Sequence, residues 1–510
     1  MSLHKSWLPS GVSAALCVWC CLGIPGGTAA GAEREPATAA EQVVPIDWSR
    51  FQSYGQVSAK SHDLEDCARL LRNNALYNLR WAPAAAEGIE RGRGVAGRAA
   101  HDVIRPACSA AFGLAVLLKT GAFDEGAVGC SREEAVARTV RLIRAAAATH
   151  RGQWWGYPWQ SALWASQLGH AAWLLWDDLD PPTRGRVAEL VEAEADRFID
   201  YRVPYWNGKG GDTKAEENAW NSAVLSIAVA MMPRHPHVPK WKEKCSELMI
   251  SAYATKGDLE NPTVVDGRPV RDWLRGYNAR ENGSVVNHGF IHPDYMRCIH
   301  LNLRAYVVQP LAGQPVPEAA SFNAALVYRC LVTKDWPSPP YSEPGGTIYV
   351  PGEPRVYYPQ RADWGRHHYV FYYLLDAHVH TLGLDRDLPH RAEDWMPVRA
   401  KGLLAMQRRH ADRRIFADGE MDTWPGREQT AAHGLGNALL LLWLDAQGVP
   451  TSGERWLPAP APPPRKLGGE QAPPSGSRER NTCVSTPAST CRWNPLTTRP
   501  TAACPASGAM

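Results

Sequence analysis

The chain has 510 residues and a nearly balanced charge, with 55 Lys and Arg against 52 Asp and Glu. Six basic and two acidic residues lie from Leu457 onward, and with these and Lys5 set aside the body holds 48 basic against 50 acidic residues. That balance excludes the strong basic surplus of a nucleic-acid-binding protein, while leaving room for a local cationic cleft.

The first 32 residues have the layout of an export signal. Lys5 precedes the short apolar run 12–24, and Thr28-Ala29-Ala30 or Ala30-Gly31-Ala32 offers a small-residue cleavage site. The run is too short for a comfortable membrane span, and no later stretch is expected to be long and apolar enough to span one. A secreted or periplasmic protein without stable membrane insertion after cleavage is therefore expected. The nine cysteines that would remain, Cys67, Cys108, Cys130, Cys245, Cys298, Cys330, Cys483, Cys491 and Cys504, show no CxxC spacing. Neither a zinc knuckle nor a thioredoxin-type site is indicated.

Residues 33–60 read as a spacer rich in Pro, Ala and Glu at its start. Helical periodicity then dominates to about residue 448. Helices are predicted near 61–75, 98–119, 131–149, 159–178, 183–202, 215–232, 238–255, 291–309, 317–334, 364–382, 391–410 and 428–447. Pro181-Pro182-Thr183 and the pair Pro233 and Pro236 mark boundaries. Several of these helices are apolar on more than one face, so neighbours must bury them from several sides. Taken as consecutive hairpins, they predict an all-α domain over 61–457 built as an (α/α)5–6 toroid without a large β domain. The connections 256–287 and 335–362 are long enough to be functional. Residues 458–510 lack periodicity and read as a disordered Pro/Ser/Thr-rich tail.

Four segments carry more polar and aromatic residues than packing requires. In 152–160, Trp154, Trp155 and Trp159 crowd a Gly/Pro loop, and aromatic faces pack well on sugar rings. The alternative is a hydrophobic plug over the helix ends. In 207–221, a Gly-rich loop runs into a helix bearing Glu216, Glu217, Asn218, Trp220 and Asn221. In 282–295, Asn287, His288, His292, Asp294 and Tyr295 cluster around Pro293, which suits the first turn of a helix. His288 and His292 would share a helical face, but Gly289 and Pro293 oppose a helix there and no HExxH accompanies them, so no metal is expected. In 355–368, Arg361 and Arg366 stand beside Trp364, as carboxylate recognition by an anionic-polymer site would require.

Together these residues resemble the polysaccharide lyases of the chondroitin AC lyase, alginate lyase and heparinase II/III type. Asn218 in Glu217-Asn218-Ala219-Trp220 matches their catalytic Asn, with Ala219 where some members carry His. Asn287-His288-Gly289 and His292-Pro293-Asp294-Tyr295 resemble the segment supplying their catalytic His and Tyr. The resemblance spans about residues 60–450, mostly through architecture, and departs from the larger members in lacking a β-sandwich after the helices. It implies β-elimination on a uronic-acid polysaccharide without a cofactor. Asn218, helped by Arg361 or Arg366, would neutralise the substrate carboxylate, and Tyr295 and His288 would act as base and acid. Cationic surroundings would have to lower the Tyr295 pKa. Glu217, Asn221, Asn287, His292, Trp220 and Trp364 would line the substrate site. Two alternatives stay open: a glycoside hydrolase using a pair among Glu216, Glu217, Asp294, Asp363 and Glu420, and a non-catalytic glycan-binding protein.

Overall fold

Side-chain caps and apolar spacing set the helices of this chain. The computed structural model describes residues 38–58, 61–150, 154–360, 369–417, 426–449 and 455–457. Residues 1–32, expected to be an export signal, and 458–510, expected to be a disordered tail, lie outside the described residues. Among those described, the helices of eight or more residues are α1 (His62–Glu90), α2 (Ala100–Thr120), α3 (Arg132–Ala147), α4 (Ser161–Leu174), α5 (Pro181–Asp196), α6 (Ala215–Met231), α7 (Val238–Ala252), α8 (Ala305–Ala312), α9 (Ala324–Thr333), α10 (Tyr369–Leu382), α11 (Ala392–Arg408) and α12 (Arg427–Ala446). The chain is mostly helical. Ser61, Ser131 and Asp180 cap α1, α3 and α5 by accepting hydrogen bonds from the first-turn amides of Leu64, Glu134 and Thr183. Pro181 opens α5, where its missing N–H costs nothing.

Two kinds of helix alternate. Every residue of α4 is buried, and in α6 every residue but Glu217. By contrast α1, α3, α5, α7 and α11 each keep one face in water. Helix α2 packs on α12 and on α4, α4 on α6, α6 on α7 and α8, and α10 on α11 and α12. Helix α1 lies against α2, α3, α11 and α12. Where α10 and α11 meet, Asp376 accepts hydrogen bonds from Tyr328 (3.1 Å), Tyr349 (3.0 Å) and Arg399, all buried.

Four expectations change. Helix α1 runs to Glu90 and not to 75, because Leu79, Ala82, Ala86 and Ile89 continue its buried stripe past Pro83. The helix expected over 291–309 is broken into turns at Pro293–Met296, Arg297–Ile299 and His300–Leu303 before α8. Buried polar side chains in this stretch bond to neighbouring helices, as Asn302 does to the Met249 carbonyl (3.0 Å), so tertiary partners set the backbone turn by turn. The expected spacer is docked onto the helices: the Val44 amide donates to Met231 (2.8 Å), and the Val44 carbonyl accepts from Trp173 (2.8 Å). Finally, the helical stretch Gly97–Thr120 is long and apolar enough to cross a membrane, but 83% of its apolar window is buried inside the protein, so its apolarity serves the core. Cys67, Cys108, Cys130, Cys245, Cys298 and Cys330 are free thiols.

Among the described residues, strand is confined to two-residue pairs. The first pair joins β1 (Val264–Val265) to β2 (Arg268–Pro269), and the last joins β5 (Asp335–Trp336) to β6 (Gly346–Thr347). Between them, β3 (Val286–Asn287) pairs antiparallel with β4 (Phe290–Ile291). These small hairpins stiffen the two long connections.

Candidate active site

The β3–β4 hairpin presents His288. Its two-residue turn places both His288 (φ 51) and Gly289 (φ 80) in the left-handed region, which a type I′ turn requires. A histidine rarely adopts that conformation unless the surroundings hold it. Here the His288 amide donates to Asp212 Oδ1 (2.6 Å) and the Gly289 amide to the Gly211 carbonyl (2.9 Å). The Gly-rich loop before α6 therefore fixes the hairpin tip. Seven residues on, Tyr295 sits in the turn opened by Pro293, and its hydroxyl lies 3.0 Å from His288 Nε2.

The pair faces a cavity of about 440 Å³. Arg98, His101 and Arg105 enter it from α2 and its approach, Gln167 from α4, Glu216 and Trp220 from α6, and Thr430 and His433 from α12. Trp159, 45% exposed, forms one wall: its indole N–H donates to Glu217 Oε1 (3.2 Å), and its ring meets Trp220 edge-on at 5.4 Å. Aromatic walls of this kind suit the C–H faces of sugars.

Charge in the cavity is mixed. Arg297 is buried, its guanidinium 4.4 Å from the centre of the Phe371 ring and its Nε 3.9 Å from Asp294. Asp294 also accepts hydrogen bonds from Tyr358 (2.9 Å) and Tyr372 (3.2 Å). Burial lowers Arg105 to about 10, with Glu216 opposing that shift. Glu216 is pushed up to about 8, first by burial and then by Glu217, against the pull of Arg297 and Arg105. Tyr295 is raised, first by burial and then by Glu216, Cys298, Asp294 and Asp212. The expectation of a lowered tyrosine is thus reversed, because burial disfavours the phenolate and the acidic neighbours add to it. Tyr295 rests as the neutral phenol.

The structure brings His288, Tyr295, Trp159 and Trp220 together at the cavity, and Glu217 reaches it through Trp159. It does not bring Asn218 there. That side chain is fully buried and donates to the Pro204 carbonyl (3.1 Å) and Ser251 Oγ (3.0 Å). Asn221 and Asn287 are buried and absent from the cavity wall. His292 is buried behind Tyr295, with ring centres 4.8 Å apart. Trp155 is corrected from sugar platform to core residue: it is 1% exposed, bonded to Thr149 Oγ1 (2.9 Å) and packed on His150. The side chain of Trp154 lies outside the described residues, as do Arg361, Asp363, Trp364, Arg366 and Glu420.

Sequence reasoning missed Arg98, Arg105 and Arg297. Arg105 and Arg297 carried a usable signal, since an Arg inside an otherwise buried segment is rare unless it has a task. Among the described residues, no group of three or more His, Cys, Asp or Glu is arranged to hold a metal ion. No protein-family model, curated protein or solved structure matches the chain.

Proposed function

We propose that this chain is an exported polysaccharide lyase that cleaves a uronic-acid polymer by β-elimination, on helices closed into an (α/α) toroid. For the toroid, the support is the run of contacts from α2 through α4, α6 and α8 to α12 and from α12 back to α2. The observation that carries the activity is the 3.0 Å hydrogen bond between His288 and Tyr295 at a cavity walled by Trp159 and Trp220. Elimination needs a base for the C5 proton, an acid for the leaving oxygen and neutralisation of the adjacent carboxylate. In this reading Tyr295 passes its proton to His288 Nε2 as its oxygen takes the C5 proton. The electron pair forms the C4–C5 double bond as the C4–O bond breaks, and the His288 imidazolium protonates the departing oxygen. Both groups return to their resting states. With Asn218 turned away, carboxylate neutralisation falls to Arg98 or Arg105 and to the protonated carboxyl of Glu216.

The test is ultraviolet absorbance during incubation with alginates, chondroitins, heparinoids and pectic acids. Growth of the conjugated unsaturated-uronate band is expected with one of them. Tyr295→Phe and His288→Ala each reduce the rate about 10²- to 10⁴-fold, the usual contribution of a general acid or base. Full activity in Tyr295→Phe would sink the assignment.

One observation favours a second reading, a glycoside hydrolase. Glu216, at about 8, is protonated at neutral pH as a general acid must be, and Asp294 shares the cavity. Reducing ends that rise without the absorbance band would establish hydrolysis instead.

A further inference from the structure

Arg304, at the start of α8, is 2% exposed and lies deep among the helices. Its Nε donates to Asn437 Oδ1 of α12 (3.3 Å) and its Nη1 to Ser166 Oγ of α4 (3.1 Å). Its Nη2 meets no acceptor, and no carboxylate pairs with it, among the described residues. Burial lowers its pKa only to about 10, so the guanidinium stays charged at neutral pH.

The two partners of Arg304 each stand one helical turn from a buried histidine. Four residues beyond Ser166 is His170, whose two ring nitrogens both lack partners among the described residues. Four residues before Asn437 is His433, whose Nε2 is likewise unpartnered. Both rings flank Phe112 of α2, with centres 4.8 and 5.3 Å away, and the Arg304 guanidinium lies 5.9 Å from the same ring. Burial first, and the Arg304 charge second, hold both imidazoles well below their usual pKa. Both are neutral and each carries one N–H donor.

The result is one fixed positive charge with surplus donors in a low-dielectric interior. An isolated buried charge is strongly unfavourable unless an opposite charge accompanies it. We propose that a small monovalent inorganic anion, chloride in a physiological medium, binds between α4, α8 and α12, held by Arg304 Nη2 and by the ring N–H groups of His170 and His433. His433 also lines the cavity above, which gives the anion a route in. The site is independent of the reaction proposed for that cavity.

Two measurements on the full chain test this. Crystals grown with sodium bromide are expected to show an anomalous peak among Arg304, His170 and His433. Thermal unfolding is expected to give a Tm that rises saturably with sodium chloride but not with sodium gluconate of equal ionic strength, as for any ligand that binds only the folded state. Arg304→Met should abolish the chloride increment. A bromide map without a peak there overturns the proposal, with water then filling the place, and so does a chloride increment of equal size in Arg304→Met. If that variant fails to fold, the bromide map of the unaltered chain decides alone.

Discussion

Glu216, Asn218 and Trp220 show how far a side chain's direction can be read from spacing. Residues four apart on a helix share a face, while residues two apart look to opposite sides. Glu216 and Trp220 therefore reach the cavity together, and Asn218 between them turns toward Pro204 and Ser251. Which face is the inner one depends on where α4 and α7 pack, and local sequence does not carry that information. His288 and Tyr295 were legible because they crowd around Pro293, where packing alone does not call for them. The raised carboxyl of Glu216 has a stability consequence. Its pKa moves from the usual 4.5 to about 8, so the folded state holds a proton that the unfolded state has already lost. Its stabilising contribution is complete below about pH 4.5 and disappears as pH rises through about 8. Glu216→Gln does not titrate, so its stability relative to the unaltered protein should grow by on the order of 3 kcal/mol between pH 5 and 8. Denaturant unfolding at several pH values measures this, and parallel curves for the two proteins would refute it.

At the scale of elements, the crossing of α2 and α12 depends on absent side chains. A Cβ on Gly113 of α2 would lie 2.6 Å from the Ala432 carbonyl oxygen of α12, and one on Gly436 would lie 3.1 Å from Gly113 Cα. Backbone occupies the space, so it cannot yield as a flexible side chain would. Gly113→Ala should cost about 1–3 kcal/mol, the range for overpacking a dense core. Gly88→Ala on α1 has open space around its new methyl and should instead stabilise by about 0.5–1 kcal/mol through helix propensity. Unfolding midpoints of the pair check the sign of each, and equal effects would contradict the packing argument. Helix positions were readable from periodicity because a helix of this chain buries a stripe or its whole surface. The broken stretch before α8 was not, because its turns answer to buried polar partners on other helices, such as Asn302 to Met249 and Arg304 to Ser166.

Across the whole molecule, the high count of 21 tryptophans divides unevenly. Trp155, Trp164, Trp173, Trp241, Trp336, Trp395 and Trp443 are among the largest fully buried side chains, whereas Trp159 stands open at the cavity. Acrylamide quenching should find most tryptophan fluorescence protected. Trp159→Phe should remove more of the accessible fraction than Trp164→Phe, and equal losses would contradict this placement. By itself the sequence determined a mostly helical body and most helix positions, and it singled out the 282–295 segment that carries His288 and Tyr295. These follow from local periodicity, caps and turn residues, which act over a few neighbours. Only the tertiary structure decided that Trp155 is core, that Asn218 faces away, that Arg98, Arg105, Arg297 and Glu216 meet at one cavity, and that Tyr295 is raised and not lowered. Each of these depends on which distant segments share a low-dielectric interior, and there burial and neighbouring charge outweigh any local preference.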